Sequence, residues 1–300
     1  MSKHTYGRSI LSLGSVNIDI VFSVPHIVRP GETLHSSSVQ IHLGGKGANQ
    51  AAAAARTGVK TFFAGRIGAD GEHLISRMRE SGVDCAYLET GKGKTGQALI
   101  QVSSSGENSI ILYQGENHGF TGEYIDRVLS SFTRDDVLIL QNEINLMPEV
   151  IRRARAQGLH VIFNPAPFGP EVAEYPLDLV DTLVLNEIEA SSLTGMPEES
   201  PQQLIRASGE RCPQAEVILT LGSKGALHLA KGEVRVIAPR KVKAVDTTSA
   251  GDTFIGYYAG ALVRGFSRDY ALDAATRAAA ICVTRHGASS SIPNWDEVFG

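Results

Sequence analysis

From about residue 120 onward the chain alternates short, almost wholly apolar runs with helical stretches, and that rhythm leaves few architectures open. The runs at 137–140, 160–163, 182–185 and 217–221 lack the polar/apolar period of two that marks a strand with one wet face, so both of their faces must be covered. Helical stretches such as 148–157 and 187–193 separate them, and two long helices, 250–264 and 268–282, follow. A mostly parallel sheet with helices on both faces satisfies this pattern. The fold class expected is therefore α/β.

The first third reads differently. Strands at 10–13 and 16–22, a half-exposed alternating strand at 36–42 and a strand at 61–66 are interleaved with helices at 48–56 and 72–80, closed by Gly58 and Gly82. Tyr87-Leu88, 97–102 and 108–113 follow as short strands joined by turn residues. These polar-alternating strands suggest a smaller sheet, exposed on one face and appended to the main one. With no Pro/Ser/Gly-rich linker and no repeat, residues 1–300 are expected to form a single domain, with small-sheet strands drawn from about 14–43 and 95–114.

Charge narrows the partners. Lys and Arg number 28 against 32 Asp and Glu, a net −4, so no basic field draws nucleic acid or an anionic membrane surface. No stretch approaches the roughly 18 apolar residues of a membrane span, and the start, MSKHTYGRSILSLGS, has no long apolar core of a signal peptide. A cytoplasmic protein is expected. Cys85, Cys212 and Cys282 are widely spaced with no CxxC, which points to free thiols in a reducing compartment rather than a zinc site.

The chain holds 31 glycines in 300 residues, above the roughly 7% of an average protein, so their positions matter. A Walker A loop is absent. Gly91-Lys92-Gly93-Lys94-Thr95-Gly96 fits GxGxxG literally, but a strand follows where a dinucleotide fingerprint needs a helix, and the segment reads as a hairpin turn. Two other clusters do open helices. In Leu43-Gly44-Gly45-Lys46-Gly47-Ala48-Asn49-Gln50 a strand enters a glycine turn whose amides can approach a polar ligand closely, or which serves only as a tight turn with a solvated lysine.

The second cluster is Asp246-Thr247-Thr248-Ser249-Ala250-Gly251-Asp252-Thr253-Phe254. Small residues at a helix start leave first-turn N–H groups open, and with the helix dipole these form an anion site. An acid there can be a simple first-turn aspartate. Beside three small residues, however, Asp252 has room for a ligand, and a carboxylate next to an anion hole suits phosphoryl transfer to an alcohol.

Residues 44–50, Asn164-Pro165-Ala166-Pro167, Asn186-Glu187-Ile188-Glu189, 246–254 and Arg285-His286-Gly287-Ala288 together resemble, in order, the motifs of the ribokinase-like (PfkB-type) carbohydrate kinase family, across nearly the whole chain. That resemblance implies a three-layer α/β/α sandwich with a small β-sheet lid over a sugar. It implies ATP-dependent phosphorylation of the primary hydroxyl of D-ribose, with deoxyribose or another pentose or nucleoside as the alternative. A catalytically silent sugar-binding regulator is the rival of another class.

By the same resemblance Asn17, Asp19, Gly44, Gly45, Lys46, Asn49 and Glu143 bind the sugar. Asp252 is the base, with Ala250 and Gly251 in the anion hole. Asn186, Thr220, Gly222, Ser223, Lys224, Gly225, Gly251 and Thr276 face ATP. Glu189 orders magnesium through water, and Asp246, Thr248, Cys282, Arg285, Gly287 and Ser291 hold potassium, largely through backbone carbonyls. Taken alone, Asn17 and Asp19 could be a solvated strand face, Glu143 a helix-start acid and Asn186 a helix cap. Ser249 replaces the glycine usual in the family motif, at a position where positive φ is costly for serine. The exposed apolar residues Val39, Ile41, Leu99 and Ile111 of the lid are expected to pair with a second copy in a homodimer.

Overall fold

The computed structural model describes residues 8–198 and 200–299; the first seven residues of the start considered above lie outside them. The chain opens with β1 (Ile10–Leu13), β2 (Asn17–Val24), β3 (Ser38–Gly44), α1 (Lys46–Ala55), β4 (Thr61–Ile67), α2 (Glu72–Glu80) and β5 (Val83–Thr90). It continues with β6 (Gly96–Ser103), β7 (Asn108–Tyr113), α3 (Gly122–Leu129), β8 (Val137–Gln141), α4 (Met147–Gln157) and β9 (His160–Asn164). Then come β10 (Thr182–Asn186), α5 (Glu187–Thr194), α6 (Pro201–Arg211), β11 (Glu216–Thr220), β12 (Ala226–Ala230), β13 (Glu233–Ile237), α7 (Ala250–Val263), α8 (Arg268–Cys282) and α9 (Trp295–Phe299).

Nine strands form one sheet in the order β13-β12-β11-β10-β9-β8-β1-β4-β5, parallel except for β12 and β13. Its central strands are buried, β8 completely and β9 and β10 at all but one end residue each, as their apolar runs require. On one face α3, α4, α5 and α6 pack over Leu138, Leu140, Val161 and Phe163; on the other α1, α7 and α8 pack over Ile10, Ile139, Ile162 and Ile218. The two sets of helices make the three layers.

From β1 the chain steps outward to β4 and β5, then returns past β1 to β8 and proceeds the other way. The order therefore reverses between β1 and β8, the place where open α/β sheets leave a ligand crevice beyond their carboxyl ends.

A four-stranded sheet, β3-β2-β6-β7, stands apart from the large one. Two local expectations fail here. Tyr87 and Leu88 do not join the small sheet: their strand, β5, is the edge of the large one, paired in parallel with β4. Nor is 91–96 a hairpin turn, because β6 pairs in parallel with β2 and the segment crosses between sheets. Long-range partners hold it, since Glu116 Oε1 accepts the Gly93 N–H at 2.6 Å and Asp70 Oδ1 accepts both the Thr95 N–H at 2.9 Å and its hydroxyl at 2.8 Å.

Helices α1 and α7 meet at unusually close range. A Cβ placed on Gly256 would lie 2.7 Å from the Gln50 carbonyl oxygen, so only glycine allows α7 to reach α1 here. That contact brings the first turn of α7 beside the second turn of α1, and with it the residues of the site. Among the described residues no helix is long and apolar enough to cross a membrane.

Candidate active site

The crevice at the reversal is built from four chain segments: the turn after β1, the β3–α1 junction, the exit of β8 and the start of α7. Gly45 caps α1 with φ 91°, and a side chain there would meet the Ser15 carbonyl oxygen at 2.8 Å. This tight approach lets Lys46 N–H donate to Glu143 Oε2 at 3.0 Å, while the Ser15 hydroxyl donates to the same oxygen. Glu143 is thus held from the turn it faces, not from the helix that follows it.

Asn17 and Asp19 lie on one face of β2, as residues two apart in a strand must. Asp19 pairs across with His42, and its carboxylate lies directly against Gly44. Its Oδ1 is buried with no hydrogen-bond partner in the protein. A cleft of about 560 Å³ opens beside them, lined by Asn17, Asn117, Asn142, Glu143 and Leu112 of the small sheet. The expected sugar-side residues Asn17, Asp19, Gly44, Gly45, Lys46, Asn49 and Glu143 therefore converge on one region.

Asp252 stands in the first turn of α7 and is 7% exposed. Asn49 Nδ2 donates to its Oδ2 at 3.2 Å and Gln50 Nε2 to its Oδ1 at 2.9 Å. Behind Gln50, Gln141 Nε2 donates to Gln50 Oε1 at 2.8 Å, so a buried chain of amides fixes the carboxylate. Ser249 caps α7 in the left-handed region at φ 59°, the conformation that disfavours serine, and its hydroxyl is buried without a partner. The two amides of the proposed anion hole differ: Ala250 N–H points back to the Thr247 carbonyl at 3.3 Å, whereas Gly251 is exposed and faces open space.

The candidate nucleotide residues occupy the next strands. Asn186 and Thr220 are register partners at the carboxyl ends of β10 and β11. Asn186 is also the cap of α5: its Oδ1 accepts the Glu189 N–H at 2.8 Å, and Glu189 Oε2 accepts the Asn186 N–H at 3.0 Å, a reciprocal capping box. The Asn186 amide donates in turn to Glu189 Oε1 at 2.9 Å. Gly222, Ser223 and Lys224 form an exposed turn after β11, with Lys224 paired to Glu187 at 3.5 Å, and Gly225 turns the chain at φ 92°. Thr276 is buried in α8, where its hydroxyl donates to the Leu272 carbonyl at 2.8 Å.

The last group lies where the segment before α7 meets the segment after α8. Asp246 accepts N–H bonds from Thr248 at 2.9 Å and Gly287 at 3.0 Å. The Cys282 thiol lies 3.1 Å from the Ser291 hydroxyl and 3.7 Å from the Thr248 carbonyl, and the Cys282 carbonyl accepts the Arg285 N–H at 3.1 Å. The Cys282 sulfur thus ties the two segments together. All three cysteines are free and buried.

Burial sets the electrostatics. Together with the nearby charges of Glu143 and Asp252, it pushes the Asp19 carboxyl up to about 7. Burial also raises Glu143, against the pull of Lys46 and its hydrogen bonds, and raises Glu189 in spite of the donors around it. Burial alone would lower the Lys46 ammonium, but Asp252, Glu143 and Glu189 outweigh it and the group is raised. Asp246 is held low: burial opposes this, but the bonds from Thr248 and Gly287 prevail. A pocket rich in carboxylates, with Asp19 Oδ1 still lacking a donor, suits a neutral ligand that brings many hydroxyls.

Ser15, Gln50, Asn117 and Gln141 carry weight in the site yet were not singled out from sequence. Gln50 directly follows the glycine turn and could have been read from its place in the motif. Gln141 and Asn117 sit 91 and 100 residues from the partners they hold, with no local signal to mark them.

The sequence profile of the pfkB family of carbohydrate kinases matches residues 8–295. A ribokinase of Haemophilus influenzae is 39% identical over 299 residues, 97% of each chain. A deoxyribokinase of Salmonella typhimurium is 32% identical over 295 residues, 96% of each chain. The solved structure of an Arabidopsis thaliana ribokinase complexed with ribose and ATP superposes with a TM-score of 0.86 at 32% identity, covering 98% of each chain.

Proposed function

The chain belongs to the pfkB family of carbohydrate kinases, and we propose that it transfers the γ-phosphoryl group of ATP to the primary hydroxyl of D-ribose, giving ribose 5-phosphate and ADP. The observation that carries this reading is the Asp252 carboxylate, held by Asn49 and Gln50 beside the Gly251 amide at the start of α7. In the reaction Asp252 accepts the hydroxyl proton while the sugar oxygen forms its bond to the γ-phosphorus and the bond from that phosphorus to the β,γ-bridging oxygen breaks. Gly251 N–H and the positive end of α7 stabilise the charge on the group in transit.

Asn17, Asp19 and Glu143 orient the sugar, while Asn186, Thr220 and the 222–225 turn receive the nucleotide. Ribose is favoured over deoxyribose by the partnerless buried Oδ1 of Asp19, which a second hydroxyl would satisfy. The 2-deoxy sugar leaves that oxygen bare, at a cost of about 1–3 kcal/mol. The test is ribose-dependent ADP release, with kcat/KM compared across ribose, 2-deoxyribose and other pentoses. No release with any pentose would overturn the reading, and a preference for 2-deoxyribose would overturn the choice of sugar.

Magnesium fits beside Glu189, whose Oε1 takes a single donor and retains capacity for a metal-bound water. When bound, it neutralises the triphosphate. Potassium fits near Asp246, a carboxylate kept ionised with no ion pair from Lys or Arg among the described residues. Thr248, Cys282, Arg285, Gly287 and Ser291 would complete that cradle. A cytoplasmic enzyme, drawing on ATP and keeping three reduced thiols, accords with this reading.

The same proposal includes a homodimer through the small sheet. Ile41, Ile20, Leu99 and Ile111 align in one register row across β3, β2, β6 and β7, and Ile41, Leu99 and Ile111 are exposed. Asp19 and Asn17 point to the opposite face of the sheet, so pairing on this row leaves the sugar side free.

A further inference from the structure

An Asn side chain has one end that donates and one that accepts, and which end meets a ligand depends on what holds the other. Asn17 lines the cleft, is 6% exposed, and uses its Oδ1 to accept a bond from Asn117 Nδ2 at 2.7 Å. Asn117 is 2% exposed, and its own Oδ1 accepts the Val16 backbone N–H at 3.1 Å. A backbone N–H can only donate, and that fixes every atom after it: the Asn117 oxygen faces Val16, its NH₂ faces Asn17, and the Asn17 atom receiving it must be oxygen. With its oxygen engaged by Asn117, Asn17 keeps its NH₂ as the free donor for the cleft.

The packing enforces this chain. A Cβ on Gly96, the register partner of Asn17 in β6, would overlap both Asn117 Nδ2 and Asn17 Oδ1. The two amides therefore meet where the neighbouring strand carries no side chain. Asn117 belongs to the short turn that leads out of β7, so the chain also ties the exit of the small sheet to the turn after β1.

We infer that Asn117 is a positioning residue that sets the hydrogen-bond polarity of the sugar site, making Asn17 present a donor, and so selects sugars with an acceptor at that point. The inference rests on the sugar-kinase reading above. Its consequence is that Asn117→Asp reverses the polarity. Aspartate still accepts from Val16 but can no longer donate, so Asn17 turns its NH₂ inward and presents oxygen to the cleft.

Asn17→Asp, with Asn117 intact, presents oxygen by a different route and with the same added charge. The two single variants should therefore share one selectivity pattern over ribose, 2-deoxyribose, arabinose and xylose, with the ribose KM raised about 10-fold. The KM for ATP should stay within about twofold of wild type. A folded Asn117→Asp enzyme with the wild-type pattern would overturn the inference, since a merely structural residue would alter stability and not mimic Asn17→Asp. If that variant does not fold, side-chain amide NMR of the wild type decides: ribose should shift the Asn17 NH₂ signal and leave that of Asn117 in place, and the converse refutes the proposal. A wild-type enzyme that turns over no pentose would overturn the kinase reading first, and the inference with it.

Discussion

Gln50 Nε2 donates to Asp252 Oδ1 across 2.9 Å, joining α1 to α7 over 202 residues of sequence. Asn49 holds the other oxygen at 3.2 Å, so the carboxylate keeps one orientation before any substrate arrives. A hydrogen bond to a charged group contributes about 1.5–3 kcal/mol. If that energy positions the base, Gln50→Leu should lower kcat by roughly 10- to 100-fold while ribose affinity changes little. Asp252→Asn should cost about 10²–10⁴ in kcat, the range of a lost general base. Steady-state kinetics beside ribose titration calorimetry would separate the two quantities; unchanged kcat in Gln50→Leu would mean that Asn49 alone suffices.

Asp19 gives the site a pH dependence with a definite sign. Its carboxyl lies at about 7 in the folded chain against an ordinary 3.8, so the folded state holds the proton more tightly than the unfolded state does. Stability from this group is full below about pH 4 and is lost as pH rises through about 7. Asp19→Asn removes the effect, and its melting temperature relative to wild type should be higher at pH 8 than at pH 5. Sugar binding runs the other way. Asp19 accepts best when ionised, so the ribose KM should fall as pH rises through about 7. A ribose KM flat from pH 5.5 to 8.5 would remove Asp19 from the sugar contacts.

Ser249 tests how far the anion site depends on backbone conformation. At φ 59° a serine carries a penalty of about 1–2 kcal/mol that glycine avoids, and the buried hydroxyl adds an unmet donor. Glycine gives back part of this through the greater freedom of its unfolded chain. Ser249→Gly should therefore raise the unfolding midpoint by about 1–3 °C in calorimetry. A fall would show that the serine contacts are worth more than the strain.

What the sequence disclosed follows the range of each signal. Central strands such as 137–140 declared themselves because burial on both faces admits only apolar residues, and Asp252 and the Gly44–Gly45 turn stood out because small residues before a helix are locally unusual. The place of Tyr87 and Leu88 was illegible: an edge strand of the large sheet and a strand of the small one show the same half-exposed alternation. The 91–95 crossover resembled a turn because its anchors, Asp70 and Glu116, lie more than 20 residues away. Asn186 was open to two readings, cap or ligand contact. The capping box establishes the first without removing the second, since its place beside Thr220 is fixed by strand register.

The small sheet supplies the last prediction. Ile41 is 50% exposed and Ile111 62%, and with Ile20 and Leu99 they form a continuous apolar row on the face opposite Asp19. Val39 extends it through the adjacent row, opposite Phe22. A contiguous apolar patch of this kind on a lone chain is a standing invitation to association, and burying each isoleucine contributes about 1.5–3 kcal/mol. Light scattering at micromolar concentration should therefore give twice the 32.0 kDa chain mass. Placing a carboxylate in the middle of the row by Ile111→Glu would strand a charge in the interface, and the variant should run as a monomer with an unchanged circular dichroism spectrum. A monomeric wild type would remove the dimer. A dimeric Ile111→Glu would move the interface to another face of the molecule.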